Sequence, residues 1–362
     1  ERIKFIMAYT TVNKSSSLMN PKIYTGNGGT NNITGVGFAP NLIVTKARDQ
    51  GESPWWTDTV IGITKYRYSD GAATDQTYTN AVQSINSDGY VLGSENGFNT
   101  NNKKQVSWNW KGGTTSIPSG SSTAPTAVSI NATAGFGIYG YTGTGSTGRT
   151  IAHGLNSAPK MMIVKRLDSS RDWAVYSSSI ANTEYLELNN TQAKATANLW
   201  GNYTPTSSLI YLGNDGQTNG GSDPYVMYAF ADVPGHQKIG SYTGNNSAGG
   251  SATQFVYTGF KPRFVMVKET SGTSNWVIYD LNRNYNLTEN NFNVRAARLG
   301  MNTYLVESSF TDDHGIDILS NGFNIRDNSN DLYTINSINE TYTYYAVGQT
   351  LVGTNNVPNN AV

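Results

Sequence analysis

Three apolar runs, each opened by a proline and closed by a lysine, punctuate a chain that is otherwise polar or alternating: PNLIVTK at 40–46, PKMMIVK at 159–165 and PRFVMVK at 262–268. A strand with one wet face alternates apolar and polar residues. A continuous apolar run bounded by turn residues predicts a strand buried on both faces. Proline can open a strand but cannot sit within its hydrogen-bond ladder. Each run is therefore read as a central core strand starting near its proline, with the lysine marking the exit to solvent.

The surroundings of the runs repeat as well. YTG precedes each one, at 24–26, 141–143 and 242–244, and tryptophan follows: Trp55 and Trp56, then Trp173, then Trp276. Some 68 to 83 residues past the proline comes a closing strand, VSWNW (106–110), VMYAF (226–230) and TYYAV (343–347). SDGYVLGS at 87–94 and SNGFNI at 320–325 place Asp-Gly and Asn-Gly between apolar alternations, which predicts hairpins. The second copy has only the weaker YLGNDG at 211–216. One window, ENNFNVRAARLG at 289–300, is predicted as helix, ending at Gly300.

The YTG motifs start 117 and then 101 residues apart, too far for solenoid or propeller units of about 20–50 residues. The spacing predicts an all-β chain of three tandem antiparallel β-sandwich domains: 1–113, then a Gly/Ser/Pro/Thr linker over 114–134, then 135–235 and 236–362. The linker predicts a first domain free to swing. The short DVPGHQ at 232–237 predicts close packing of the second domain on the third. FIMAYTTV (5–12) has the texture of a closing strand. It is either the tail of an earlier repeat, which would make the chain a fragment, or a strand completing the first sandwich.

Composition narrows the function. Thirty-eight glycines and 14% charged residues fit a β-rich surface protein. The formal net charge is zero, and no basic run exceeds two residues. That removes the attraction to phosphate on which nucleic-acid binding depends. No apolar run approaches the ~20 residues of a membrane-crossing helix. With no cysteine, disulfides, thiolate metal sites and cysteine nucleophiles are excluded.

YTGNG, GF-x-P ahead of the apolar run and lysine, the tryptophans, SDGYVLGS, and WNW or YAFADVPG together resemble a repeat-domain family of tailed phages. That family occurs in tail-fibre-like and other virion proteins of cyanophages and marine phages. The resemblance covers the three repeats. It implies a β-sandwich, lectin-like or jelly-roll, in a virion appendage or surface protein, made in the host cytoplasm and working in the extracellular particle. It supplies no list of catalytic or binding residues. The second repeat departs most, with no clear DG hairpin and His153 in AHGL where the others have GVGF and YTGF.

Candidate chemistry is sparse. His153, His236 and His314 lack ligand spacing and read as surface or turn histidines. TDDHGID (311–317), with Asp312, Asp313 and Asp317, lacks the alternating ligands and distal Glu of an EF-hand loop and reads as a solvated loop. GTGSTG (143–148) lacks the Lys-Ser/Thr of a phosphate loop. Asp58 and Asp280 each fall twelve residues after the motif lysine. They are either Ca²⁺ or sugar-hydroxyl ligands or turn caps. Asp is a favoured turn residue, which favours the cap, and Ser177 at the same place in the second repeat means that any such ligand site is not shared by all copies. Trp108 and Trp110 share one strand face, an aromatic platform if exposed and core if buried. Trp55 and Trp56 are adjacent and must face opposite ways, so one of them is expected outside the sandwich core, exposed or at an interface.

No cofactor, nucleophile–base pair or paired carboxylates emerge, and an enzyme is not expected. The resemblance implies a virion structural protein, a tail fibre or appendage, expected to adhere to host-surface polysaccharide. Its partners would be other virion proteins and further copies of itself, as in a trimer. Two alternatives remain: a capsid-decorating or tube-forming protein, and a carbohydrate-binding module array from a secreted bacterial protein.

Overall fold

The computed structural model describes residues 12–246, 254–283, 294–295, 297–309, 315–326 and 331–350. The described chain is nearly all β, in several antiparallel sheets. Each repeat contributes one large sheet with the same strand order. In the first it runs Met19–Thr25, Lys104–Trp110, Leu42–Ala47, Trp55–Asp58 and Gly62–Tyr68, followed by the short Gln76–Thr77. The third repeats this with Gln237–Thr243, Thr341–Gly348, Pro262–Glu269, Val277–Asp280, Ala297–Gly300 and Ser308–Ser309. The second has Phe136–Thr142, Pro224–Ala231, Pro159–Arg166, Ala174–Ser177, Glu184–Glu187 and Ala195–Thr196, plus an extra edge strand, Ala127–Asn131. The proline–lysine strand is central in all three, with the closing strand on one side.

Its unbroken apolar run follows from burial on both faces. Ile43 points into a core made with the first repeat's small sheet, Asn31–Ile33, Gly89–Leu92 and Val82–Asn86. Met162 and Val164 do the same against Arg149–Ala152 and Leu209–Leu212. Val265 and Val267 do so against Gln254–Tyr257, Gly322–Ile325, Ile316–Leu319 and Val294–Arg295. The alternate residues, Leu42 and Val44, Met161 and Ile163, Phe264 and Met266, meet in one further core shared by all three repeats. Both predicted DG/NG hairpins form, pairing Asn86 with Gly89 and Leu319 with Gly322. In the second and third repeats the motif proline opens its strand at a register shift.

YTG is a clamp. The three tyrosine hydroxyls donate to carbonyls just ahead of the closing strand: Tyr24 to Phe98, Tyr141 to Thr218 and Tyr242 to Ile335. A Cβ on Gly26, Gly143 or Gly244 would lie 2.1–2.2 Å from the carbonyl oxygen of Thr100, Gly220 or Ser337, so only glycine lets the backbones meet. Gly143→Ala is expected to cost about 1–3 kcal/mol in urea unfolding. Gly221→Ala, where a Cβ would meet nothing within 4 Å, should stay within about 0.5 kcal/mol.

Several expectations are corrected here. The shared core contains Trp56, Trp108 and Trp110 of the first repeat, so that repeat cannot swing. The segment 114–134 is no flexible linker: it carries Ala127–Asn131, and Thr114 bridges to Ile130. Of the window 289–300, the described parts Val294–Arg295 and Ala297–Gly300 are strand, because Leu299 is needed in the shared core opposite Ile278. The motif lysines do not reach solvent. His153 and His236 are buried, while His314, Asp312 and Asp313 lie outside the described residues, as does FIMAYTTV apart from Val12.

Candidate functional site

Several of the buried ionisable side chains lie at the joints between repeats. Each motif strand ends in a buried lysine whose Nζ donates to backbone carbonyls. Lys165 reaches Ala72 of the first repeat (3.0 Å) and Arg171 (2.8 Å). Lys268 reaches Thr191 of the second repeat (3.2 Å) and Glu269 (2.7 Å). Lys46 bonds the carbonyl of Glu52, whose own N–H donates to Tyr304 of the third repeat at 3.0 Å. Burial lowers all three ammonium pKa values to about 8.

The position twelve residues on makes a second contact at each joint, and the contacts run in a closed cycle. Asp58 of the first repeat accepts from the Tyr228 hydroxyl of the second at 2.8 Å. Ser177 of the second meets Thr343 of the third at 2.8 Å. Asp280 of the third accepts from Trp108 Nε1 of the first at 2.9 Å. Both aspartates also cap their own turns through Oδ1: Asp58 accepts from Val60 and Ile61, Asp280 from Asn282 and Arg283. The turn-cap reading holds, with a joint contact added on the other oxygen.

Buried guanidinium groups balance the carboxylates. Arg67 Nη2 lies 3.0 Å from Asp58 and its Nε 3.6 Å from Asp75. Arg283 Nε lies 2.6 Å from Asp280, and its Nη1 lies 3.2 Å from Glu307. Arg48 of the first repeat grips that glutamate at 2.7 and 3.0 Å. Burial pushes the Asp280 pKa up, but the Arg283 charge and the donors from Arg283 and Trp108 more than offset this and hold it below its usual value.

The tryptophans complete the joints. Trp55 turns inward against Tyr66, Tyr68, Tyr78 and Phe98 of its own repeat. Trp56 turns the other way, onto Trp173 and Tyr228, so the expected interface exists but is internal. Trp108 and Trp110 share the buried face. With Trp55 6% exposed, Trp56 2%, Trp108 1% and Trp110 4%, none of these rings offers a face to a sugar. Asp58 and Asp280, 1% and 2% exposed, are equally out of reach of a diffusing ion. Among the described residues no group of three His, Cys, Asp or Glu could hold a metal, and no helix is long and apolar enough to cross a membrane.

Some joint residues gave no readable signal. Arg67 lies nine residues after Asp58 but Arg283 only three after Asp280, so no shared spacing marks them. Asn99, Asn219 and Asn336 could have been found: each stands five residues ahead of its closing strand, buried, and accepts the N–H just after YTG, of Asn27, Thr144 or Asn245.

One family pattern matches residues 14–350 continuously, across all three repeats. The chain belongs to the DUF7483 family, a domain of unknown function. A single DUF7483 match spanning the cycle agrees with the shared core. A search of curated proteins finds no match.

The lysines give this DUF7483 chain an unusual pH response. Their folded-state pKa of about 8 lies below the ordinary 10.5. Between those values the unfolded chain binds more protons, so stability rises with pH. As pH nears the ordinary tyrosine value of 10, the many buried tyrosines, raised by burial, overtake the lysines and reverse the trend. The melting temperature is expected to climb from pH 8 to about 9 and to fall again by about 10; a flat or falling profile between pH 8 and about 9 would contradict the assignment.

Proposed function

We propose that the chain is a non-enzymatic structural protein of a tailed-phage virion, three β-sandwiches of lectin-like or jelly-roll kind fused around one core. The observation that carries this reading is the commitment of Asp58, Asp280, the motif lysines and Trp56, Trp108 and Trp110 to repeat–repeat joints. Groups that catalysis would leave facing a cleft are here spent on internal cohesion, as suits a part that must hold its shape. The resemblance of the repeats to virion proteins supplies the setting: assembly in the host cytoplasm, other virion proteins and further copies of the chain as partners, and work in the extracellular particle. Electron microscopy of the native particle tests it. Density for this chain in a tail appendage or on the capsid is the expected result; particles that lack it would overturn the proposal.

Adhesion to host-surface polysaccharide is the second reading, now through other residues. Tyr203, 56% exposed, lies 5.0 Å from Tyr211, beside Thr204 and Asn182, which hydrogen-bond each other. An exposed ring with hydroxyl and amide neighbours is what sugar stacking requires. Glycan-array binding lost in Tyr203→Ala would support this reading, and an array without hits would remove it.

A further inference from the structure

One rung is missing where the crossover from the first repeat leaves the second repeat's edge strand, Ala127–Asn131. Thr114 N–H donates to Ile130 at 2.8 Å and Ile130 N–H returns to Thr114 at 2.9 Å. An antiparallel ladder carried on from that bridge would set Ser116 opposite Val128. Instead the Ser116 N–H turns back onto the Thr114 hydroxyl at 3.1 Å, and the chain departs through Ile117, 45% exposed. Val128 is two residues from Ile130, so its N–H and C=O point to the same outer side. Among the described residues no backbone group meets them there. One step further the Thr126 N–H has turned inward, to Gly140 at 2.7 Å. A single main-chain donor and acceptor are thus left facing out, side by side.

They line a cavity of about 420 Å³ at the joint of the first and second repeats, within the range of about 300–1,000 Å³ usual for small-molecule sites. Asn41, Thr59 and Val60 of the first repeat face Thr126 and Ser129 of the second, with Ile117 of the crossover alongside. None of the lining residues carries a charge. The walls are held in place. Asp58 caps the turn at Val60, and Asn41 accepts from Gly112 N–H at 2.8 Å while donating to the Thr59 hydroxyl at 3.0 Å. The Ser129 hydroxyl accepts from Gly113 N–H at 3.2 Å. Each of these two hydroxyls accepts from the protein and keeps its own proton for a further acceptor.

We propose that this cavity binds a single neutral sugar unit. A hydroxyl donates and accepts at once, so two neighbouring sugar hydroxyls match the outward N–H and C=O of Val128. Others meet Thr59, Thr126 and Ser129, and the C–H face of the ring lies on Val60 and Ile117. A uronic acid or a phosphorylated sugar would bring a charge with no cation in the walls to pair with it. A peptide strand would gain one rung only. The proposal rests on the adhesion reading for the source of the sugar and narrows it to neutral hexoses. Its site shares no residue with the Tyr203 patch.

The test titrates the full chain with the methyl glycosides of glucose, galactose and mannose and follows the amide signals of Val128 and Ser129. Methyl glucuronide is the charged comparison. The expected result is a saturable shift of both amides by at least one neutral glycoside, with the glucuronide at least about tenfold weaker. Thr59→Val and Thr126→Val, near-isosteric changes at exposed side chains, should each weaken binding about tenfold and keep the chain folded. Amides that none of the three glycosides shifts would overturn the proposal, as would binding that both variants leave unchanged or that the glucuronide matches. A shift produced by N-acetylalanine methylamide but by no sugar would make the occupant an extended peptide, and the sugar assignment would fall. Glycoside shifts at Val128 beside a glycan array without hits would remove the adhesion reading and leave this site standing. Array hits with Val128 silent would do the reverse.

Discussion

Asp280→Ala is expected to cost about 3–5 kcal/mol, the usual loss when one member of a buried ion pair is removed. The aspartate serves three groups at once: it pairs with Arg283, accepts from Trp108 and caps the turn at Asn282 and Arg283. Alanine leaves the buried guanidinium with Glu307 as its remaining carboxylate partner and leaves the indole N–H unpaired. Asp58→Ala should behave alike, leaving Arg67 with only the more distant Asp75 and the Tyr228 hydroxyl unpaired. Ser177→Ala supplies the internal control. It removes one neutral contact with Thr343, worth about 1 kcal/mol. Urea unfolding of the three variants measures the order; equal losses at all three positions would mean that the charges at the joints do not matter. Pairing Asp280→Ala with Arg283→Met should recover part of the loss, because the uncompensated charge leaves with the arginine.

Deletion of residues 1–111 is expected to leave a chain that does not fold. The first repeat places Met19, Leu42, Val44, Trp56, Val106, Trp108 and Trp110 in the shared core. At about 1.5–3 kcal/mol for each buried large side chain, those seven contribute on the order of 10–20 kcal/mol. That matches or exceeds the roughly 5–15 kcal/mol of net stability typical of a domain. Removing them would also expose Phe136, Phe230 and Phe264, which pack on Trp110. The intact chain should accordingly melt in one calorimetric transition, with van 't Hoff and calorimetric enthalpies equal. Two or three resolved transitions would restore the picture of independent domains.

The strands were legible because local pattern determines them. The proline–lysine runs, the DG and NG hairpins and the paired faces of Trp108 and Trp110 all follow from period-two geometry and turn chemistry. What could not be read was the partner of each face. A run buried on both sides looks the same whether its second face meets its own small sheet or two other repeats. The lysine at the end of the run was taken for an exit because a charged side chain is seldom fully buried; for Lys268 and Lys165 one acceptor each is a carbonyl 77 and 93 residues away in sequence. Likewise the Gly/Ser/Pro/Thr composition of 112–127 describes a flexible chain, until Val128 and Ile130 find a core to enter. The tryptophan count misled in another way. Register equates Pro54, not Trp55 or Trp56, with Trp173 and Trp276, so the aromatic signal was real but displaced.

The cycle of contacts has a consequence for how chains sort themselves during synthesis. Tandem copies of one fold are prone to exchange equivalent parts with a neighbouring chain. Here each meeting surface carries its own lock: Asp with Tyr, Ser with Thr, Asp with Trp. A first repeat that landed where a second belongs would bury the Asp58 carboxylate without its tyrosine donor. Divergence among the three copies thus works as an address system, in which one cyclic order makes all three joint bonds.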